Sequence, residues 1–367
     1  MISLAALGND LYSGKTSLPF IAKRRIWYTI AIVVIALSAV LVVKPGRNPG
    51  IDFKGGSEVT VTGVADPSEG PGNDVLADKD LSSGSSVTTM GASSVRIQTN
   101  ELDKAQLDEL ASSLATAYDV DSGSVSATTI GPTWSADVTS KAARGLVIFF
   151  LLVGALIWIY FRTWKMAAAA LLALSHDIIV TIGIYAASGF EVTPATIIGV
   201  LTILGYSLYD TVVVFDKIRE NTSHYEAQTR STYAELANLA VNQTFIRSIN
   251  TSVVGVLPVA SLLVVGAFIL GAGTLRDIAL TLFIGMIAGT LSSIFLATPL
   301  LVDLRSREKS IVEQAKRVEA ARAQRVTQAG DDDEALAAIV AAPAASPLVP
   351  GHHLGVSAQP KRKNRRS

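Results

Sequence analysis

The chain has 367 residues, a formal net charge of zero, 17% charged residues and a mean hydropathy of +0.41. These values belong to a membrane protein more than to a soluble enzyme. It has no cysteine, which excludes a disulfide framework, a cysteine zinc site and a cysteine nucleophile, and its four histidines (His176, His224, His352, His353) are too scattered for a metal cluster.

Residues 1–22 are mixed in composition and read as a short interfacial or loose cytoplasmic segment. Lys23, Arg24 and Arg25 then precede an apolar run that ends at Val43. The run is long for a signal peptide, and the KPGRNPG that follows has no small-residue cleavage site. Residues 23–43 are therefore predicted to be a first transmembrane helix with its amino end in the cytoplasm.

From 44 to 141 the chain turns polar, which predicts a small α+β domain on the far side of the membrane. GSEVTVTGV (56–64) and SSVRIQT (93–99) alternate with period two like half-buried strands, and 124–130 reads as another strand. Leu107, Leu110 and Leu114 recur at helical spacing with charges opposite. The Gly-, Ser- and Asp-rich span 66–91 reads as a flexible insertion.

Five further apolar segments, at 143–161, 166–188, 194–215, 249–271 and 277–301, place five helices in a region 142–302. Arg162 and Lys165, then Lys217, Arg219 and Arg230, then Arg305, Arg307 and Lys309 mark their loops as cytoplasmic, and with them both termini. Residues 303–367 form a cytoplasmic tail, helical to about 325 and beyond that too poor in apolar residues to bury a core. The basic end at 361–366 is expected to be a solvated tail, with anionic lipid headgroups or a ribosome as surfaces it could touch.

Asp210 lies inside the fourth apolar segment, where an ionised carboxylate costs on the order of 3 kcal/mol. On a helix Thr202, Tyr206 and Asp210 fall at i, i+4 and i+8, with Ser207 and Thr211 on the same side. This predicts one polar face that looks into protein and away from lipid. His176 and Asp177 lie near the middle of the third segment, and Asp177, Thr181 and Tyr185 share a face. Arg247 opens the fifth segment, with Asn250 and Thr251 on its next turn. Gly285, Gly289 and Ser293 form a row of small residues that lets another backbone approach the sixth.

The fourth segment runs inward and the fifth outward, so Asp210 and Arg247 are expected at similar depth. Two readings stay open. One is a permanent ion pair that fixes helix register. The other is a protonatable carboxylate whose partner changes with state, as in proton pumps. No Walker-type phosphate loop, nucleophile elbow or H-E-x-x-H is present. No enzymatic chemistry, cofactor, metal or nucleic-acid partner is expected, and energy for any work comes from a partner ATPase or the membrane gradient.

The residues also carry a family resemblance. GIDFKGG (50–56), SHD (175–177), GYSLYDTVVVFDKIREN (205–221), NQTFIRSINTS (242–252) and SSIFLATPLL (292–301) are similar to the motif series of the SecF family, over about 23–305. The resemblance implies a six-helix half of the resistance-nodulation-division transporter type, with a ferredoxin-like extracytoplasmic domain after the first helix. It implies SecD as partner, and work alongside the SecYEG channel and SecA that uses the proton gradient to draw exported preprotein across the cytoplasmic membrane.

The family's intramembrane Asp matches Asp210 and its Arg matches Arg247, which makes these two the implied proton relay. His176, Asp177, Tyr206, Ser207, Tyr209, Thr211 and Asn250 are the supporting polar set. Many members of the family have Asn where this chain has Tyr209. Asp52, Phe53, Gly55 and Gly56 are expected to form a first strand next to the hinge of the domain. A proton-coupled exporter half of the same superfamily and a scaffold subunit without proton chemistry are the alternatives.

Overall fold

Hydrocarbon offers no partner to a backbone N–H or C=O, so a chain with apolar runs of this length satisfies them within helices. The computed structural model describes residues 4–43, 49–266 and 273–329. Among the described residues six helices are long and apolar enough to cross a membrane. They are α2 (Arg24–Leu41), α6 (Pro132–Phe161), α7 (Trp164–Ser188), α8 (Pro194–Asn221), α9 (Tyr233–Val264) and α10 (Gly273–Ser292). The last continues through a π-helical turn, Ser293–Ala297, into α11 (Thr298–Arg305).

Two of these helices begin well before the apolar segments that predict them. Pro132 at the first turn starts α6 eleven residues ahead of 143. Thr232 and Glu235 exchange backbone-to-side-chain hydrogen bonds of 2.8 and 3.3 Å, a reciprocal cap that starts α9 sixteen residues ahead of 249. Hydropathy marks where a helix can meet lipid, whereas caps mark where it begins. Arg247 consequently lies about four turns into α9 and does not open it.

The chain forms two compact units. The first comprises the described residues within 1–25, 213–248 and 298–367. Here residues expected to be loose are structured: α1 (Leu4–Ser13) is a helix, and the segment after it is held by side-chain amides. Asn242 accepts from Leu18 N at 2.7 Å and Asn238 from Ile21 N at 3.1 Å. Arg24 pairs with Asp303 at 3.0 Å. The expected helical stretch of the tail is α12 (Lys309–Ala329), where Arg322 forks onto both oxygens of Glu235 at 2.9 and 2.6 Å. The expectations for His352, His353 and 361–366 lie outside the described residues.

The second unit comprises 26–212 and 249–297 and includes the α+β domain. After the short helix α3 (Ile51–Lys54) come β1 (Gly56–Thr62), α4 (Gly70–Asp78), β2 (Ser86–Met90), β3 (Ser94–Thr99), α5 (Lys104–Ala117) and β4 (Val125–Ile130). The sheet has the order β2-β3-β1-β4 with every pair antiparallel, which is the βαββαβ ferredoxin-like arrangement. Register places Val59 opposite Ile97 and Val61 opposite Val95. These four side chains meet Leu76, Leu107, Leu110 and Leu114 of the two helices in one core. Asp103 and Gln106 cap α5 reciprocally.

The span 66–91 is not an insertion. It supplies α4 and β2, half of the second layer and an edge of the sheet. Its composition hides this because only a few apolar side chains anchor it, among them Leu76, Val87 and Met90. Gly72 is required for close approach: its N–H donates to Tyr118 Oη at 3.0 Å, and a Cβ there would lie 2.8 Å from that oxygen.

The GIDFKGG motif is likewise not a strand. Asp52 and Phe53 belong to α3, Gly55 turns the chain at φ 78°, and β1 starts at Gly56, φ 141°. A Cβ on Gly56 would meet Thr99 O at 2.5 Å, so both the angle and the space demand glycine there.

Burial first, and the Glu58 carboxylate second, raise the pKa of Asp52 above the ordinary carboxylate range, while Arg96 pulls the other way. A raised folded-state pKa means the folded chain holds this proton more tightly than the unfolded chain. Stability is then lost as pH rises from the unfolded value, near 4, through the folded one. Asp52→Asn is expected to raise the melting temperature modestly at about pH 7 and to leave it unchanged at about pH 3. Thermal melts of the full chain at both pH values check this.

Candidate functional site: a polar cluster among the membrane helices

Within the second unit α7 and α8 bring two of the predicted carboxylates into the interior. Asp177 is 1% exposed and Asp210 is 7% exposed. Ser207 Oγ donates to Asp177 Oδ2 at 2.7 Å, and His176 Nδ1 lies 3.3 Å from Asp177 Oδ1. Thr181 and Thr211 donate back to the carbonyls of Asp177 and Ser207, at 2.8 and 3.1 Å. These i−4 bonds satisfy hydroxyls that have no water to turn to.

Asp210 lines a cavity of about 10 Å³ together with Ser207, Tyr206, Tyr209, Thr251, Ser252, Met286 and Thr290. That volume is about what a single water needs. Ser252 and Thr290 hydrogen-bond at 2.5 Å on its wall.

The row of small residues on α10 accounts for how close α8 comes. A Cβ on Gly289 would lie 2.7 Å from Ser207 Cβ, and one on Gly285 would strike Ile203. Across the same contact a Cβ on Gly199 would lie 2.9 Å from Thr281. Ser293, the third of the row, is fully buried in the π turn.

Within this chain alone, only part of the expected polar face of α8 is covered. Thr202, Tyr206 and Tyr209 are exposed, Tyr206 by 42% and Tyr209 by 53%, while Ser207, Asp210, Thr211 and Val214 are buried. At 100° per residue the i, i+3/i+4, i+7 set that starts at Ser207 defines the buried stripe, and Thr202 with Tyr206 sits on its flank. Asn250 is exposed on α9. Arg247 belongs to the first unit, where it is exposed on the same helix.

Sequence reasoning missed Asp277. It is 2% exposed on α10, and its signal was an acidic residue in the first turn of the last apolar segment. Tyr185, predicted to share the face of Asp177, donates to Asp277 O at 2.7 Å and lies 2.6 Å from Thr281 Oγ1. Removing one such buried hydrogen bond costs about 1 kcal/mol or more. Tyr185→Phe is expected to lower the melting temperature of the detergent-solubilised chain, whereas Tyr209→Phe, on the exposed flank, leaves it unchanged.

Among the described residues, six helices able to cross a membrane, a ferredoxin-like domain after the first and buried carboxylates on the third and fourth make up the architecture that the family resemblance implies, a membrane-embedded half of the resistance-nodulation-division transporter type. Comparison with known proteins narrows this. The family model described as "Protein export membrane protein SecD/SecF, C-terminal" matches residues 110–307. The chain is 45% identical over 333 residues to protein translocase subunit SecF of Streptomyces coelicolor, covering 88% of this chain and 86% of that one. It is 42% identical to the SecF of Mycobacterium tuberculosis over 84% of this chain and 72% of the other.

Among solved structures it resembles SecDF from Thermus thermophilus, described as a translocon-associated membrane protein, with a TM-score of 0.70 and 29% identity. The match covers 80% of this chain and 39% of SecDF. The chain belongs to the SecF family, subunits of the Sec protein-export machinery.

Proposed function

We propose that this chain pairs with a SecD-type subunit and uses the proton motive force to promote preprotein movement through the SecYEG channel, alongside SecA. It lies in the cytoplasmic membrane with both termini inside and the 44–141 domain outside. The SecDF relative supports the pairing, because this chain spans only about two fifths of it and leaves room for a second half.

The observation that carries the reading is Asp210. It is a carboxylate buried halfway along a membrane-crossing helix, beside a cavity of about 10 Å³ walled by hydroxyls. A buried carboxylate changes its proton affinity when a cation approaches or leaves. In this reading Asp210 takes up and releases the proton, and Arg247 is the counter-charge that switches. Asp177, held by Ser207 and His176, fixes the facing side of α7. One proton falling through about 100 mV releases about 2.3 kcal/mol, enough to bias a two-state movement about fiftyfold.

The test is preprotein translocation into vesicles with an imposed proton gradient, comparing wild type with Asp210→Asn and Arg247→Met, each checked for assembly with SecD. Loss of the gradient-dependent part in both variants is expected. Full gradient dependence in assembled variants would mean instead that the two residues serve helix register.

A further inference from the structure

The connector between α7 and α8 is five residues long, 189–193, and could have been a bare turn. Gly189 closes α7 with φ 70°, and each of the next four residues is engaged elsewhere in the second unit, Phe190 and Thr193 by α10, Glu191 by the sheet and Val192 by the segment entering the domain. Phe190 lies under the Arg276 guanidinium, 4.8 Å from ring centre to Cζ. Glu191 Oε2 accepts from Gln98 Nε2 at 2.9 Å and meets Arg96 Nη1 at 3.4 Å. Val192 bridges Pro49, and its carbonyl accepts from Gly50 N at 2.9 Å. Thr193 Oγ1 donates to Asp277 Oδ2 at 3.2 Å.

The partners of Glu191 follow from strand alternation. With Val59, Val61, Val95 and Ile97 turned to the helices, Glu58, Arg96 and Gln98 fall on the opposite face of the sheet. Gln98 also donates to Glu58 at 3.0 Å, and Arg96 Nε is 3.5 Å from Glu58 Oε1. One guanidinium and one amide thus hold two carboxylates. The Arg96 and Glu191 side chains are only 15% and 10% exposed, so truncating one partner leaves the other charge buried and is costly. On the other side Asp277 is held by Arg276 at 3.2 Å and anchors Tyr185 of α7 through its carbonyl.

We propose that the connector 190–193 is the joint that makes the ferredoxin-like domain and the outer ends of α7 and α10 move as one body, with Glu191 and Asp277 as its positioning residues. This rests on the reading that the chain couples a proton gradient to preprotein movement. Displacement generated among the helices reaches the domain because Glu191 grips the sheet while its chain neighbours grip α10 and the segment that enters the domain. The GIDFKGG motif belongs to the same joint: a Cβ on Gly50 would lie 3.2 Å from Val192 O and 3.8 Å from Glu191 Oε2.

The chain has no native cysteine, so spin labels can be placed at Thr89→Cys on β2 and Thr274→Cys on α10, both exposed. Inter-label distances are measured by pulsed electron resonance on the full chain assembled with SecD, without a gradient, and translocation is measured in the same preparation with one. Glu191→Ala is expected to broaden the distance distribution and to cut gradient-dependent translocation at least fivefold. Glu191→Gln, which keeps an acceptor for Gln98, is expected to give an intermediate result on both and serves alone if the alanine variant does not assemble.

An unchanged distribution overturns the proposal, and so does a broadened one with full translocation. Asp210→Asn separates the two readings, since it should leave the distances unchanged whatever it does to translocation.

Discussion

Asp210→Asn is expected to reduce the gradient-dependent increment of preprotein translocation at least tenfold while ATP-driven translocation and assembly with SecD persist. The substitution conserves shape, removes the titratable charge and exchanges one acceptor oxygen for an amide donor, so the stripe of Ser207, Thr211 and Val214 around it keeps its packing. Asp210→Glu retains a titratable group but pushes it further into a cavity of about 10 Å³, and partial activity is the expected outcome.

Ser207→Ala provides the contrast. It deletes the 2.7 Å donor to Asp177 and leaves a buried carboxylate oxygen short of a partner, at a cost of about 1–3 kcal/mol. That variant should melt early yet keep its gradient dependence at permissive temperature. Translocation traces with and without an imposed gradient, beside melting curves, separate a proton site from a packing site. If Asp210→Asn and Ser207→Ala give the same pattern, the relay assignment fails.

Gly289→Val should have the largest structural effect of any single substitution considered. The added Cβ alone would sit 2.7 and 2.8 Å from the Ser207 Cβ and Oγ and 3.3 Å from its Cα, and the backbone cannot yield as a flexible side chain can. Overpacking of this kind costs typically 1–3 kcal/mol, and valine adds two methyl groups to the collision. The two helices must separate, carrying Ser207 away from Asp177 and widening the wall on which Ser252 and Thr290 meet. A lower melting temperature and loss of gradient-driven translocation are both expected, and Gly289→Ala should show the same at smaller amplitude. Gly145→Ala on α6, where nothing lies within 4 Å of the added atom, is the control and should be neutral. Wild-type melting by Gly289→Val would mean that α8 and α10 have slack between them.

The membrane spans were legible because the physics behind them is local. A run of about twenty apolar residues in lipid has no alternative to a helix, and period-two alternation in 56–62 and 94–99 marks strands half covered by protein. Asp210 and Asp177 were legible for a related reason, since a charge within such a run stands out against its neighbours. The close approach along Gly285 and Gly289 was legible from residue size alone.

What sequence could not show depends on contacts between distant segments. The span 66–91 has too few apolar residues to announce α4 and β2, which exist because Leu76 and Val87 find the core built by β1, β3 and α5. Which part of the polar side of α8 this chain itself covers was not legible at Thr202 and Tyr206, because several faces of that helix carry hydroxyls and only its neighbours decide which is covered. Glu191 and Asp277 looked like ordinary polar residues beside a loop. Their burial comes from Arg96 and Gln98, nearly a hundred positions earlier, and from Thr193 and Arg276. Local periodicity determined the elements of this protein, while long-range pairing of buried polar groups, which must find partners or remain costly, decided how the domain is tied to its helices.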